Sequence, residues 1–288
     1  MSDEPHSAAY FGPERDFWWN HDHLELIARR RGLGSVRSVL DVGSGVGHWG
    51  RLVATLVAPD ATITGIDPEP RWVQEAARRA PERFRYLEGS GERLPFADAT
   101  FDLATCQTVL IHTADPRAVI REMRRVTKPG GQVLVAEPNN RASYVVGTSA
   151  GADVVDALRF VHTCERGKVA LGEGDNSVGD LVPGLFALEG LTQIETWIGD
   201  KAATLVPPYA AADQQAFKAA MLEQARAGTY GWTRAEAERY YRAGGGEDFE
   251  AVWERRLAEE RAAAQAARAG TFHTAGGMLM YVVAGRRQ

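Results

Sequence analysis

An apolar run that ends in an acid and then alternates glycine, Val39-Leu40-Asp41-Val42-Gly43-Ser44-Gly45-Val46-Gly47, constrains this chain more than any other segment. It describes a strand running into a tight, ligand-cradling loop, because side chains at the glycine positions would obstruct both a turn with unusual φ and close approach of a ligand to the backbone. A helix beginning near Val46 would point its N-terminal amides at that ligand. The pattern is not unique. Gly45-Val46-Gly47-His48-Trp49-Gly50 also satisfies the G-x-G-x-x-G of dinucleotide binders, with Asp67 about 20 residues beyond Gly47. Register argues against nicotinamide chemistry, since Asp41 stands two residues before the first glycine, and three further segments downstream argue the same way.

Around this loop, short β-branched segments alternate with helical patterns: strands over 36–42, 61–66, 84–88, 101–107 and 132–137, and helices over 47–56, 70–79 and 117–126. That alternation predicts a parallel, doubly wound sheet. Residues 14–31 read as a helix that would lie across the sheet's carboxyl edge, where ligands bind in open α/β folds. Beyond Glu137 the alternation stops, and 139–190 gives mixed helical patterns broken at Gly172-Glu173-Gly174 and Pro183-Gly184. Strands follow over 191–198 and 278–284, separated by helical patterns over 211–227, 234–242 and 248–269. In the last of these, Phe249, Val252, Trp253 and Leu257 form an apolar stripe that either packs on a core or lines a pocket. The expected organisation is an N-terminal helical lid at 1–34, a core at 35–200 plus 271–288 in which 139–190 form a helical substrate region, and a helical cap insertion at 201–270.

Charge narrows the partners. A formal charge of −5 and a pI near 5.9 argue against a surface built to neutralise phosphates, and the basic clusters Arg29-Arg30-Arg31, Arg78-Arg79 and Arg124-Arg125 are short enough to be solvated helix faces. Nucleic acid is not expected as a partner, nor is a membrane, since no apolar run reaches about 18 residues. Cys106 and Cys164 show no pairing pattern, and His162, Cys164, Glu165 and His273 are too scattered for a metal site, so no metal is expected. With no secretory signal, a cytoplasmic protein is expected, as a monomer or homodimer.

Four segments together resemble class I S-adenosylmethionine-dependent methyltransferases, specifically the small-molecule branch (methyltransferase type 11, UbiE-like), strongly over 35–137 and weakly at the last strand. Asp41-Val42-Gly43-Ser44-Gly45-Val46-Gly47 resembles the family's D-x-G-x-G-x-G loop. The resemblance implies that Gly43, Gly45 and Gly47 accept the methionine portion of S-adenosyl-L-methionine, and that Asp41 shapes the loop or reaches the amino group. Thr64-Gly65-Ile66-Asp67 places an acid at the end of the next strand, where a carboxylate suits a vicinal diol; Asp67, followed by Pro68, is the expected ribose ligand, with helix capping as its other role. Gly89-Ser90-Gly91-Glu92-Arg93-Leu94-Pro95-Phe96 is similar to the G-D-A-x-x-L-P-F segment beside the adenine. Ser90 replaces the usual acid there, so contact passes to the backbone of Gly91 or Glu92. Lys128-Pro129-Gly130-Gly131 resembles the structural K-P-G-G turn. The fold implied is Rossmann-like α/β: a doubly wound, mostly parallel seven-stranded sheet with an antiparallel last strand and a helical cap inserted before it.

Methyl transfer asks mainly for alignment in a dry pocket, with a base only when the acceptor carries a proton. After the fourth strand, Cys106-Gln107-Thr108-Val109-Leu110-Ile111-His112 ends in a histidine that resembles the general base of certain O-methyltransferases; ordering the loop is its alternative role. Gln107 is expected near the methionine part or the substrate. Glu137 is expected to orient His112, to bind a cationic acceptor, or to form an ordinary ion pair, and Tyr10 and Trp19 to close over substrate or pack on the sheet. The resemblance implies methylation of oxygen or nitrogen on a small molecule of the natural-product kind. Two alternatives stay open: an RNA or protein methyltransferase, although the N-P-P-[YFW] tetrad is missing after the fourth strand, and a non-catalytic S-adenosylmethionine-binding protein.

Overall fold

The computed structural model describes residues 13–143 and 146–288. A 3₁₀ turn (Pro13–Phe17) precedes α1 (His21–Arg31), β1 (Ser38–Val42), α2 (His48–Val53), β2 (Thr62–Asp67), α3 (Pro70–Arg78), β3 (Phe84–Glu88) and β4 (Phe101–Gln107). A second 3₁₀ turn (Leu110–His112), α4 (Pro116–Val126) and β5 (Thr127–Pro138) follow. The chain continues through α5 (Val154–Ala170), α6 (Val182–Leu188), β6 (Thr192–Ile198), β7 (Ala202–Leu205), α7 (Ala212–Ala227), α8 (Arg234–Ala243), α9 (Phe249–Ala269), β8 (Thr274–Gly277) and β9 (Met280–Arg286). The described residues divide into two compact units, one of Trp19–Asn139, Ser177–Asp200 and Leu279–Gln288, the other of the remaining described residues up to Trp18, Asn140–Asn176 and Lys201–Met278.

The first unit holds a seven-stranded sheet in the order β3-β2-β1-β4-β5-β9-β6, parallel except at β9, which runs antiparallel to both β5 and β6. The Rossmann-like doubly wound architecture expected from the sequence is therefore present. The central strands β1, β4 and β9, and β5 from Gln132 on, are buried almost throughout because both of their faces are covered, whereas β3 and β6 at the edges are largely exposed. On one face the α4 stripe Val119, Ile120, Met123 and Val126 packs against Leu40, Val42, Cys106, Val133, Val135 and Val283. On the other, Leu24 and Ile27 of α1 and Trp49 and Val53 of α2 line one small cavity with Leu103, Leu134 and Val282 of the sheet. Helix starts follow local chemistry: Glu69 and Asp115 cap α3 and α4, each followed by a proline in the first turn.

Two expectations are corrected. Residues 14–31 are not one helix but a 3₁₀ turn and α1 separated at 18–20, and the buried stripe of α1 lays it on the sheet face rather than across the carboxyl edge. Pro183 does not break a helix; it sits in the first turn of α6, where its missing N–H has no intrahelical partner to lose. The β7–β8 pair is new, its Ala202-Ala203-Thr204-Leu205 and Thr274-Ala275-Gly276-Gly277 having no alternating pattern to announce it. Tyr10 lies outside the described residues.

At the amino ends of the strands, Asp102 joins three of them. Its Oδ2 accepts the amides of Arg37 and Ser38, each at 2.9 Å, and its Oδ1 accepts Lys128 Nζ at 2.8 Å. Burial raises its pKa, but Lys128, the two amides and the Ser38 hydroxyl outweigh burial and hold the carboxyl down at about 2. A folded-state pKa below the usual 3.8 adds stability that is present above the ordinary value and lost as pH falls toward 2. Asp102→Asn is therefore expected to lower the denaturation midpoint at pH 7, the gap to wild type closing between pH 4 and pH 2 in a urea series; a gap independent of pH would contradict this.

In the second unit the α9 stripe packs inward. Phe249 and Trp253 join Phe160, Cys164, Trp232, Ala237 and Tyr240 in one cluster, with Val252, Leu257 and Tyr241 at its margin. Rings stack at 5.7 Å between Phe249 and Trp253 and at 5.4 Å between Phe160 and Tyr241. The core reading of this stripe is thus the one realised. Tyr209 donates its hydroxyl to Phe272 O at 2.7 Å beside a second cluster with Leu205, Ala263 and Ala267.

Candidate cofactor site and adjoining histidine turn

β1 ends in the glycine loop, and Gly43, Gly45 and Gly47 take φ of 64°, 51° and 86°, the left-handed region that the sequence demanded of them. The loop is held from several sides. Ser44 N donates to Ile66 O at 3.0 Å, Gly47 N to Ser44 O at 2.8 Å, and Gly45 N to Asp67 Oδ2 at 2.8 Å. Asp67 Oδ1 accepts Glu69 N at 2.9 Å, while Glu69, not Asp67, caps α3. Each Asp67 oxygen has thus taken one amide and keeps a further acceptor direction. Burial pushes its pKa up, opposed by the amides of Glu69 and Gly45.

Two partners that enforce these glycines were missed by sequence reasoning. A side chain at Gly43 would collide with Val109, and one at Gly47 would collide with the Tyr86 hydroxyl and crowd Arg51. Tyr86 reaches the loop because its register neighbour on β2 is Gly65, next to Asp41 on β1. A Cβ at Gly65 would overlap the Tyr86 ring. Burial pushes the Tyr86 hydroxyl up to about 12, with the buried Asp41 adding to the rise and Arg51 opposing it. A Cβ at Gly50 on α2 would lie 2.8 Å from Asp41 Oδ2, too close for an ordinary contact. Only the pairing register, which motifs do not carry, could have signalled Tyr86.

The remaining expected cofactor residues lie along the same carboxyl edge. Pro68 is exposed just past β2. Ser90 is exposed and its hydroxyl accepts Glu92 N at 3.2 Å, closing a turn in which Gly91 packs against Val42 and Glu92 is exposed. Gln107 is buried at the end of β4, paired with Ala136. The fit to S-adenosylmethionine rests on chain features: a glycine loop in the left-handed conformation at the end of β1, a buried carboxylate with acceptor capacity at the end of β2, and a Ser44 hydroxyl that is buried with no hydrogen-bond partner among the described residues.

The chain leaves β4 through Thr108, at φ 53°, into the turn that carries His112, whose amide donates to Val109 O at 3.0 Å and whose ring is exposed. Glu137 lies inside β5, not after it, and is fully buried. Its Oε1 accepts Val109 N at 2.8 Å and Leu110 N at 2.9 Å. It thus meets the backbone of the His112 turn. Trp19 is buried with its ring 5.8 Å from Trp49, whose Nε1 donates to Thr105 Oγ1 at 2.8 Å. Among the described residues no group of three or more His, Cys, Asp or Glu side chains is placed to hold a metal, and no helix is long and apolar enough to cross a membrane.

Residues 40–135 match the family model described as a methyltransferase domain. The uncharacterized methyltransferase YcgJ of Bacillus subtilis is 34% identical over 135 residues, 46% of this chain and 52% of that one. A demethylmenaquinone methyltransferase of Geobacillus is 30% identical over 127 residues, 43% of this chain and 53% of that one. The chain thus spans about half the length of these two curated relatives. The crystal structure of YcgJ superposes with a TM-score of 0.52 at 19% identity, over 93% of this chain and 99% of that one, a likeness of fold. By sequence, residues 40–135 thus match a methyltransferase domain. S-adenosylmethionine is the cofactor that domains of this family take.

Proposed function

We propose that this protein transfers the methyl group of S-adenosylmethionine to oxygen or nitrogen of a small-molecule acceptor, with His112 as general base. The observation that carries the reading is the contact of Val109, in the turn bearing His112, with Gly43 of the glycine loop, which brings a titratable side chain and the cofactor loop into one assembly. Asp67 takes the ribose diol, Gly43, Gly45 and Gly47 admit the methionine part, and the segment 90–92 borders the adenine. Bound S-adenosylmethionine supplies an electrophilic methyl group on its sulfonium. His112 takes the proton of an acceptor hydroxyl as its oxygen becomes nucleophilic, and Glu137 holds the turn in place. Support for a small acceptor comes from the formal charge of −5, from Cys106-Gln107-Thr108-Val109 standing where an amide- or adenine-directed tetrad would be, and from the name of the demethylmenaquinone methyltransferase among the relatives.

The test is incubation with methyl-labelled S-adenosylmethionine and a fractionated small-molecule extract, read by mass shift. Wild type is expected to label a product, and His112→Ala to lose about 10²–10⁴ in rate while keeping cofactor affinity. Labelling that survives in His112→Ala would remove the base role and point to an acceptor that is already nucleophilic. Cofactor binding with no transfer to any fraction would sink the catalytic reading in favour of a cofactor-binding protein.

A further inference from the structure

The last rung of the β4–β5 ladder pairs Gln107 with Ala136, and Thr108 N still donates to Ala136 O at 2.9 Å before the chain turns away. The next amides have no strand opposite them. The Glu137 carboxylate takes their place, Oε1 accepting Val109 N at 2.8 Å and Leu110 N at 2.9 Å, with the amide of Ile111 bonding to the same group. Oε2 is buried and has no partner among the described residues. A carboxylate taken wholly out of water is tolerated only where such donors converge on it. The side chain of Val109, fixed by this arrangement, fills the position that a Cβ at Gly43 would occupy.

We infer that Glu137 is a positioning residue, which locks the His112 turn and, through Val109, the first glycine of the cofactor loop into a single competent arrangement. The inference rests on the methyltransferase reading, which is what makes both segments functional. Neither neighbouring titratable group replaces the carboxylate: the Cys106 thiol, 3.9 Å from Oε1, is pushed up by burial, and Tyr281 is the β9 register neighbour. Burial pushes Glu137 up to about 7 against the pull of the Leu110, Val109 and Ile111 amides and the Cys106 thiol. Near neutrality the group therefore exchanges a proton, and the protonated form holds amides less strongly.

S-adenosylhomocysteine affinity measured by calorimetry, together with amide exchange, tests this in the whole chain. Glu137→Gln keeps the shape and removes the charge; it is expected to raise Kd about tenfold at pH 8 and to speed exchange at Val109 and Leu110. Val109→Ala is expected to raise Kd comparably, and the double variant to be no worse than the poorer single one, because both act on one path to Gly43. Wild-type Kd is expected to rise severalfold from pH 8 to pH 6, and Glu137→Gln to be flat. Additive effects, a pH-independent wild type, or a variant that loses only thermal stability would each overturn the inference while leaving the methyltransferase reading standing. Failure of wild type to bind S-adenosylhomocysteine would overturn that reading and the inference with it. Exchange at Val109 and Leu110, read without ligand, separately reports whether the carboxylate holds the turn.

Discussion

Asp67→Ala is expected to weaken S-adenosylmethionine binding by roughly two orders of magnitude or more. The carboxylate serves two sides at once: it holds Gly45 N at 2.8 Å and Glu69 N at 2.9 Å, and it keeps acceptor directions for a diol. Hydrogen bonds to a charged group are each worth about 1.5–3 kcal/mol, so losing even two of them in the complex corresponds to roughly 100-fold or more in Kd. The variant also frees the amide of Gly45, a residue at φ 51° that depends on its neighbours to keep that conformation. Calorimetric titration of both proteins decides the matter. An affinity within about threefold of wild type would show that the diol is held elsewhere. Asp67→Asn, which retains an acceptor for Glu69 but sets an amide group against Gly45 N or the diol, is expected to fall between the two.

Gly167→Ala is expected to be the most damaging single methyl group in the second unit. α5 and α8 approach so closely there that a Cβ at Gly167 would overlap the carbonyl of Tyr240, and one at Gly244 would overlap the carbonyl of Thr163. Both obstacles are backbone, so neither can rotate away, and relief requires the two helices to separate along a contact that anchors the aromatic cluster of Phe160, Trp232 and Tyr240. Overpacking usually costs 1–3 kcal/mol, and an obstacle of this kind belongs at or above the top of that range. A loss of about 3 kcal/mol corresponds to a fall in Tm of roughly 6–12 °C. Gly184 on α6, with nothing near its Cβ position, is the control, and Gly184→Ala is expected to leave Tm unchanged or raise it. Equal melting of Gly167→Ala and wild type would mean that the helices part at little expense.

The segments legible in the sequence are those whose chemistry is local. The run 39–47 specifies a strand, a loop and a helix start within nine residues, and Asp67 closes the next strand, so their placement follows from residue type alone. Tyr86 and Val109 were not legible, because each meets the loop only after the sheet has set its register, Tyr86 through Gly65 and Val109 through the turn that Glu137 secures. For Glu137 the expected partners are the His112 side chain, a cationic acceptor or an ion pair, whereas its Oε1 accepts the backbone amides of Val109 and Leu110, a contact that residue type alone does not announce. The split at 18–20 was hidden because Trp18 and Trp19 are as acceptable inside a helix as at its margin, and Asn20, the residue before α1, gives no side-chain capping bond.

The place of β9 in the sheet bears on how the polypeptide reaches its final form as it leaves the ribosome. Among the described residues β6 pairs with β9 and with no other strand, and β5 has β9 as its outer neighbour, yet β9 begins only at Met280. Some 80 residues emerge between the end of β6 and the arrival of its partner, during which the outer edge of β5 remains unpaired and able to recruit foreign strands. Nascent chains stalled anywhere in that interval should be the species that chaperones retain, and a nonsense codon near position 279 should yield aggregate rather than a shortened but soluble protein.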